Sequence, residues 1–214
     1  MPKDDSIKEK QALAFIQEGK LKEAEEIYRD LVARGSQNYN VYGNLAAICM
    51  MNGDKRQGIN LLKNALKLKP DYPEAHSNLG MALQEQGDLN AAMSSLQNAL
   101  KIKPEYPEAH YNLGIALQEK GDLNAAISSY QQAIKFKPSY PEVHNNLGVV
   151  LKEQGDLNAA ISSLQQAIKL KANYPEAYYN LGFALKEHAD LNSAIASYQQ
   201  AIKLKPNYPE ALTI

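Results

Sequence analysis

A proline recurs every 34 residues, at Pro73, Pro107, Pro141, Pro175 and Pro209. The tripeptide Asn-Leu-Gly keeps the same step at 78–80, 112–114, 146–148 and 180–182. So does an alanine, at Ala92, Ala126, Ala160 and Ala194. A period of this size marks a helical solenoid and outranks any local propensity. A length of 214 residues would otherwise imply one or two globular domains. Here each unit is too small to bury its apolar face alone, so neighbours must stack into one quasi-linear core.

Within a repeat the signals read as helix, turn, helix. The unit from Pro107 predicts a first helix over 107–119, with proline at the first helical position and Glu108 in the favourable first turn. Gly121-Asp122 turns the chain, and Asp122 is placed to cap a second helix over 124–137, which stops before Pro138. Leu113, Leu117, Ile127, Tyr130 and Ile134 are the expected core. Gly114 and Ala126 are small enough for the paired helices to approach closely, and Ala133 does the same toward the following unit.

The chain resembles the tetratricopeptide repeat family. Counting Pro73 as position 1, that family has a large residue at 4, Leu at 7, Gly at 8, large residues at 11 and 24, Ala at 20 and 27, and Pro at 32. The repeat from Pro107 supplies His110, Leu113, Gly114, Leu117, Tyr130, Ala126, Ala133 and Pro138 at those positions. The resemblance divides residues 5–214 into repeats 5–38, 39–72, 73–106, 107–140, 141–174 and 175–208, with 209–214 opening a further one. It implies an all-α fold, a right-handed superhelical α-solenoid of antiparallel helix pairs whose first helices line a concave groove.

Departures are local. The first repeat has Ala12, Phe15, Gly19, Ala24, Tyr28 and Leu31 but lacks the leucine at position 7, and residues 1–6 are expected to fray. The second carries Ala46 where the pattern has Gly and Gly58 where it has Ala. That glycine costs about 1 kcal/mol of helix propensity, for which a close helix contact is the expected reason. In the last repeat Ala189 stands at the turn glycine, and Ala172 stands at the preceding proline. Because 209–214 breaks off early in a repeat, the expectation is either a longer polypeptide or an end that packs on something, including a second copy.

A formal net charge of −1 argues against a non-specific nucleic-acid binder, which needs a basic stripe. Lysines near the ends of second helices, such as Lys67, Lys69, Lys101 and Lys103, are read as partners of helix C-termini. The single cysteine, Cys49, permits no internal disulfide and falls in a large-residue slot, so a buried thiol is expected. No apolar run is long enough for a membrane span, and no membrane partner is expected. A cytoplasmic location is the default expectation.

In the family, positions 2, 5, 6, 9, 12 and 13 face the groove, and the resemblance carries that rule here. Position 6 holds an asparagine ladder, Asn44, Asn78, Asn112, Asn146 and Asn180. Amides both donate and accept, so the ladder could pair with a peptide backbone or, equally, with neighbouring helices. It resembles the ladder in the repeat arm of O-linked N-acetylglucosamine transferases. Position 9 holds Met81, Ile115, Val149 and Phe183; position 5 includes Tyr111 and Tyr179. These apolar and aromatic side chains are candidate anchors for a partner, or else contacts between adjacent first helices. Glutamates at position 2 (Glu74, Glu108, Glu142, Glu176) and position 13 lend the groove an acidic lean, unless they serve only the helix starts. Position 5 never carries the lysine of family members that clamp a C-terminal carboxylate, so that activity is not expected.

Nothing here points to catalysis, a cofactor or a metal. His76, His110 and His144 share position 4, one repeat apart, whereas metal ligands must converge on one ion; they are read as packing residues. The serine pairs 94–95, 128–129 and 162–163 have no base aligned with them. The expected function is a protein–protein interaction scaffold that binds an extended peptide or a helix in its groove. A non-catalytic recruiting arm of a transferase and a self-associating module remain as alternatives.

Overall fold

A computed structural model describes residues 3–207, and among these every regular element is an α-helix. They are α1 (Lys3–Gln17), α2 (Leu21–Ala33), α3 (Tyr39–Met51), α4 (Lys55–Leu68), α5 (Pro73–Glu85) and α6 (Leu89–Ile102). Then follow α7 (Pro107–Glu119), α8 (Leu123–Phe136), α9 (Pro141–Gln154), α10 (Leu157–Leu170), α11 (Pro175–Glu187) and α12 (Leu191–Leu204). Consecutive helices pair, one pair to a repeat, giving an antiparallel helix-pair solenoid. The pairs group into two compact units that divide after residue 104, the first with α1–α6 and the second with α7–α12. The stub expected at 209–214 lies outside the described residues.

Local chemistry sets the boundaries. Asp54, Asp88, Asp122, Asp156 and Asp190 each cap a second helix, their carboxylates accepting from the backbone N–H three residues on. Each therefore starts with the residue directly after its aspartate, one position before the start expected at 124. α5, α7, α9 and α11 begin on proline. The N-terminal turn is a correction: residues 3–6 are helical instead of frayed, and Arg34 holds them through Asp4 at 3.3 Å and Asp5 at 3.0 Å.

The turns between paired helices need a left-handed residue. Gly53, Gly87, Gly121 and Gly155 fill that place with φ of 82° to 90°, and Ala189 fills it in the last repeat at 66°. Ala189 still closes the helix end, with its N–H on the Lys186 carbonyl at 3.1 Å and the Asp190 N–H on Leu185 at 2.9 Å. Alanine therefore carries the steric penalty of left-handed backbone without changing the turn.

Packing inside each pair is tightest where a position-8 glycine faces a position-24 side chain. A Cβ on Gly114 would lie 2.5 Å from Tyr130 Cε1; one on Gly80 would lie 2.5 Å from Leu96 Cγ and 3.0 Å from the Ala92 carbonyl oxygen. Gly148 meets Leu164, and Gly182 meets Tyr198, in the same way. The alanines at positions 20 and 27, such as Ala126 and Ala133, are fully buried. Of the expected core, Leu113 and Tyr130 are buried, while Leu117, Ile127 and Ile134 pack at its margin. The core also takes in Ala109 and Ala116, both fully buried.

The glycine of α4 has the contact that was expected. A Cβ on Gly58 would lie 2.7 Å from Met50 Cε, so the methionine thioether fills the space that an alanine methyl takes in other repeats. Cys49 is buried beside it, with Sγ 3.5 Å from Gln57 Oε1, and burial pushes its thiol pKa up.

In the second unit Tyr111 lies between Tyr130 and Tyr140, at centroid distances of 6.1 and 5.3 Å. Burial pushes the Tyr140 phenol from 10.0 up to about 12 and raises Tyr130 further. A phenol whose pKa is raised on folding stays neutral while the unfolded chain ionises. The unfolded state then holds fewer protons, so stability falls as pH rises.

Three outcomes follow from this packing. Gly114→Ala trades a helix-propensity gain of about 1 kcal/mol for an overpacking cost of about 1–3 kcal/mol, so urea unfolding should show net destabilisation. Ala189→Gly should raise the unfolding free energy by about 0.5–1 kcal/mol, read as a higher urea midpoint, because relief of left-handed strain exceeds the entropy of the extra glycine. The folded state should lose stability from about pH 10 towards pH 12, with phenolate absorbance appearing together with loss of helical signal.

Candidate interaction surface

The first helices carry the predicted ladder, and the structure sorts it by partner. Asn44 Nδ2 donates to Tyr28 Oη at 3.0 Å. Asn146 Nδ2 donates to Tyr111 Oη at 3.4 Å. Asn180 Nδ2 donates to Asn145 Oδ1 at 3.0 Å, and Asn145 Nδ2 donates to Asn146 Oδ1 at 3.2 Å. A continuous run of amides thus links α11 to α9 and ends on the α7 tyrosine. Asn78 and Asn112 have no side-chain hydrogen-bond partner among the described residues.

A sequence relation underlies part of the difference. The residue sixteen positions before Asn44 and before Asn146 is tyrosine, Tyr28 and Tyr130; before Asn78, Asn112 and Asn180 it is leucine. A tyrosine there supplies a hydroxyl for the amide and a leucine does not, so Asn180 finds its acceptor in Asn145 instead. The Asn146 amide also favours ionisation of the Tyr130 hydroxyl, against the much larger effect of burial. Tyr130 Oη donates to Gln118 Oε1 at 3.1 Å. In the last repeat Lys186 stands at that glutamine position and cannot accept, and the Tyr198 hydroxyl is buried without a partner among the described residues.

The apolar candidates are likewise divided. Tyr111 and Tyr179 are half-buried against the second-helix tyrosines of their own repeats, Tyr130 and Tyr198. Ile115 and Val149 are half-buried, Ile115 at the margin of the second-unit core. Phe183 is half-buried under the Lys152 ammonium, 4.1 Å from the ring centroid. Met81 is 37% exposed and Met51 is 70% exposed. Both line a cavity of about 210 Å³ with Met50, Ala46, Ala47, Leu62 and Asn78. Met50 and Met51 fall at positions 12 and 13, and the signal that could have found them is their departure from the Gln/Lys and Glu of later repeats.

The acidic lean is weaker than the sequence implies. Each position-2 glutamate pairs with the lysine 29 residues on: Glu74–Lys103 at 3.8 Å, Glu108–Lys137 at 3.3 Å, Glu142–Lys171 at 3.2 Å and Glu176–Lys205 at 3.7 Å. Lys137 and Lys171 also sit over Tyr140 and Tyr174, at 4.2 and 4.5 Å from the ring centroids. Of the lysines read as helix-end partners, Lys103 thus reaches a glutamate, and Lys69 reaches the Tyr39 hydroxyl at 3.1 Å.

The histidines do more than fill space. His76 and His144 are half-buried, and their Nε2 atoms lie 2.8 and 3.0 Å from the carbonyl oxygens of Pro70 and Pro138. They tie each first helix to the end of the preceding repeat. His110 stacks on Phe136 at 5.7 Å. Ser95, Ser129 and Ser197 bond to carbonyls of their own helices. Among the described residues no group of three or more His, Cys, Asp or Glu could hold a metal ion. None of the described helices is long and apolar enough to cross a membrane.

Several solved structures share this arrangement. YrrB, described as a TPR protein with an unusual peptide-binding site, superposes with a TM-score of 0.71 at 19% identity, over 87% of this chain and 96% of that one. MamA gives a TM-score of 0.70 at 25% identity, covering 78% of this chain and 97% of its own. PilW, a type IV pilus biogenesis factor, gives 0.86 at 18% identity, covering 100% and 99%. No curated protein matches the chain in sequence. The periodic helix pairs, their glycine contacts and a family match across residues 4–211 agree: the chain belongs to the tetratricopeptide-repeat family described as the cilia and flagella-associated protein 70 C-terminal domain.

Proposed function

We propose that the chain is a protein–protein interaction scaffold that binds an extended peptide along its first-helix face. The carrying observation is the α3–α5 cavity, where exposed Met51 and Met81 meet an Asn78 amide with no partner of its own. An extended peptide presents apolar side chains beside unpaired backbone N–H and C=O groups. A methionine-lined recess adapts to the former, and a primary amide satisfies the latter. On α7 Asn112 likewise has no partner among the described residues, and Ile115 and Val149 are half-buried apolar residues of the same register. Phe183, Tyr111 and Tyr179 provide flatter contacts, since part of each is spent on intramolecular packing. That a fold relative, YrrB, is described by a peptide-binding site supports the reading by analogy.

The two other readings have less behind them. A recruiting arm of a transferase leans on the whole asparagine ladder, three members of which already bond within the chain. A self-associating module leans on residues 209–214, outside the described residues.

The test is a displayed random-peptide selection on the intact chain, followed by titration of variants against the selected peptide. Asn78→Ala should weaken binding by about tenfold with unchanged stability, since this amide bonds only to the ligand. Met81→Glu should abolish it. Asn146→Ala should instead lower stability by about 1 kcal/mol, because the Asn145 side chain loses its acceptor and Tyr111 its donor. Failure to select any peptide, or equal binding by wild type and Met81→Glu, would sink the reading.

A further inference from the structure

A second cavity lies between α1 and α3, about 240 Å³ in volume, lined by Glu9, Leu13, Tyr28, Asn38, Asn40, Val41 and Asn44. Its carboxylate is only half satisfied. Glu9 Oε2 accepts from Asn38 Nδ2 at 2.7 Å, while Oε1 is buried with no partner among the described residues. Asn38 is held in turn, its Oδ1 accepting from the Asn40 N–H at 3.0 Å and its own N–H donating to Ser36 Oγ at 3.2 Å. Glu9 is therefore fixed in place instead of free to swing into water.

The nearby cations are committed elsewhere. Lys8 pairs with Asp30 at 2.8 Å, and Arg34 pairs with Asp4 and Asp5. Further acceptors line the same cavity. Tyr28 Oη takes one N–H from Asn44 and keeps a free lone pair, and Asn44 Oδ1 accepts nothing among the described residues. The opposite wall is apolar: Val41 is buried, and Leu13 is 45% exposed. A carboxylate, a hydroxyl and an amide oxygen at one end, with an aliphatic wall at the other, match an alkylammonium. Its head carries N–H donors and its stem is hydrocarbon. One carboxylate is too little anionic charge for a divalent cation, which also has no use for the aliphatic wall.

We propose that this pocket is a binding site for a primary alkylammonium, the head and stem of a lysine side chain or a free amine. Glu9, Leu13, Asn40 and Asn44 fall at positions 5, 9, 2 and 6 of their repeats, the register proposed for peptide contact. The inference rests on that reading only for the source of the amine. With a peptide as source, the site demands a lysine at the end of the segment that reaches α1.

The test is titration of the intact chain with butylammonium, with butanol as the neutral control of equal stem, followed by backbone amide NMR shifts. A capped Ala-Lys-Ala tripeptide forms the second arm. Saturable shifts clustered on α1, Tyr28 and 38–44 are expected with butylammonium and not with butanol. Glu9→Gln, which keeps size and shape, should weaken this binding by about tenfold or more, the effect of removing one charge-assisted hydrogen bond. Leu13→Asn, a neutral change of similar size, should weaken the tripeptide and butylammonium alike by removing the apolar stem wall. Tighter binding of the tripeptide assigns the source to a peptide; equal binding assigns it to a free amine; both support the site. Non-saturating shifts spread over many surface carboxylates, or an unchanged response in a folded Glu9→Gln protein, overturn it. Since Met81→Glu leaves this pocket intact, loss of amine binding and loss of the Met81-dependent peptide are separable results.

Discussion

The contact of a bare glycine with a bulky side chain fixes the spacing inside each helix pair. At Gly80, Gly114, Gly148 and Gly182 the first-helix backbone comes so near the second helix that a methyl group would overlap Leu96, Tyr130, Leu164 or Tyr198. Buried alanines at position 20 continue the same seam. Helices this close leave no room for water, so the polar side chains on them must bond within the chain or point outward. Met50 over Gly58 shows that volume, and not residue identity, is what the seam conserves.

Position 24 then decides what happens on the neighbouring first helix. A tyrosine there fills the seam with its ring and brings a hydroxyl to the first-helix side, where an asparagine sixteen residues later can bond it. A leucine fills the same seam without a hydroxyl, so the amides of Asn78 and Asn112 stay unclaimed among the described residues, while Asn180 turns to Asn145. The core choice at position 24 thus sets whether an amide has a hydroxyl within its own seam, and a neighbouring first helix can supply an acceptor where it does not. In the second unit the bonded amides form a run from Asn180 through Asn145 and Asn146 to Tyr111.

The glutamate–lysine pairs have a different standing. Their side chains are 39–48% exposed, where an ion pair contributes about 0–1 kcal/mol and is screened by salt. They tie the start of a first helix to the end of the second helix of the same repeat and cancel charge that would otherwise face a ligand. The histidine bonds to the Pro70 and Pro138 carbonyls work instead at the junctions between consecutive repeats. Stability is carried by the seam, and the polar ladders set register and surface charge.

The sequence alone determined the repeat, the helix pairs and most of their boundaries. Period, proline, glycine and aspartate each act within a few residues, through backbone geometry that a linear pattern records. It also put the asparagines of position 6 at the same place on successive first helices, because helical register follows from spacing. Which asparagines are engaged was decided only in three dimensions, since a hydrogen bond from Asn146 to Tyr111 joins residues 35 apart on neighbouring repeats. The same holds for the glutamates of position 2, whose lysines lie 29 residues on. The half-satisfied Glu9 is a clear case: in sequence it is one glutamate in a polar first helix. Only the packing of α1 against α3 buries one of its oxygens, assigns the other to Asn38 and leaves the first without a donor.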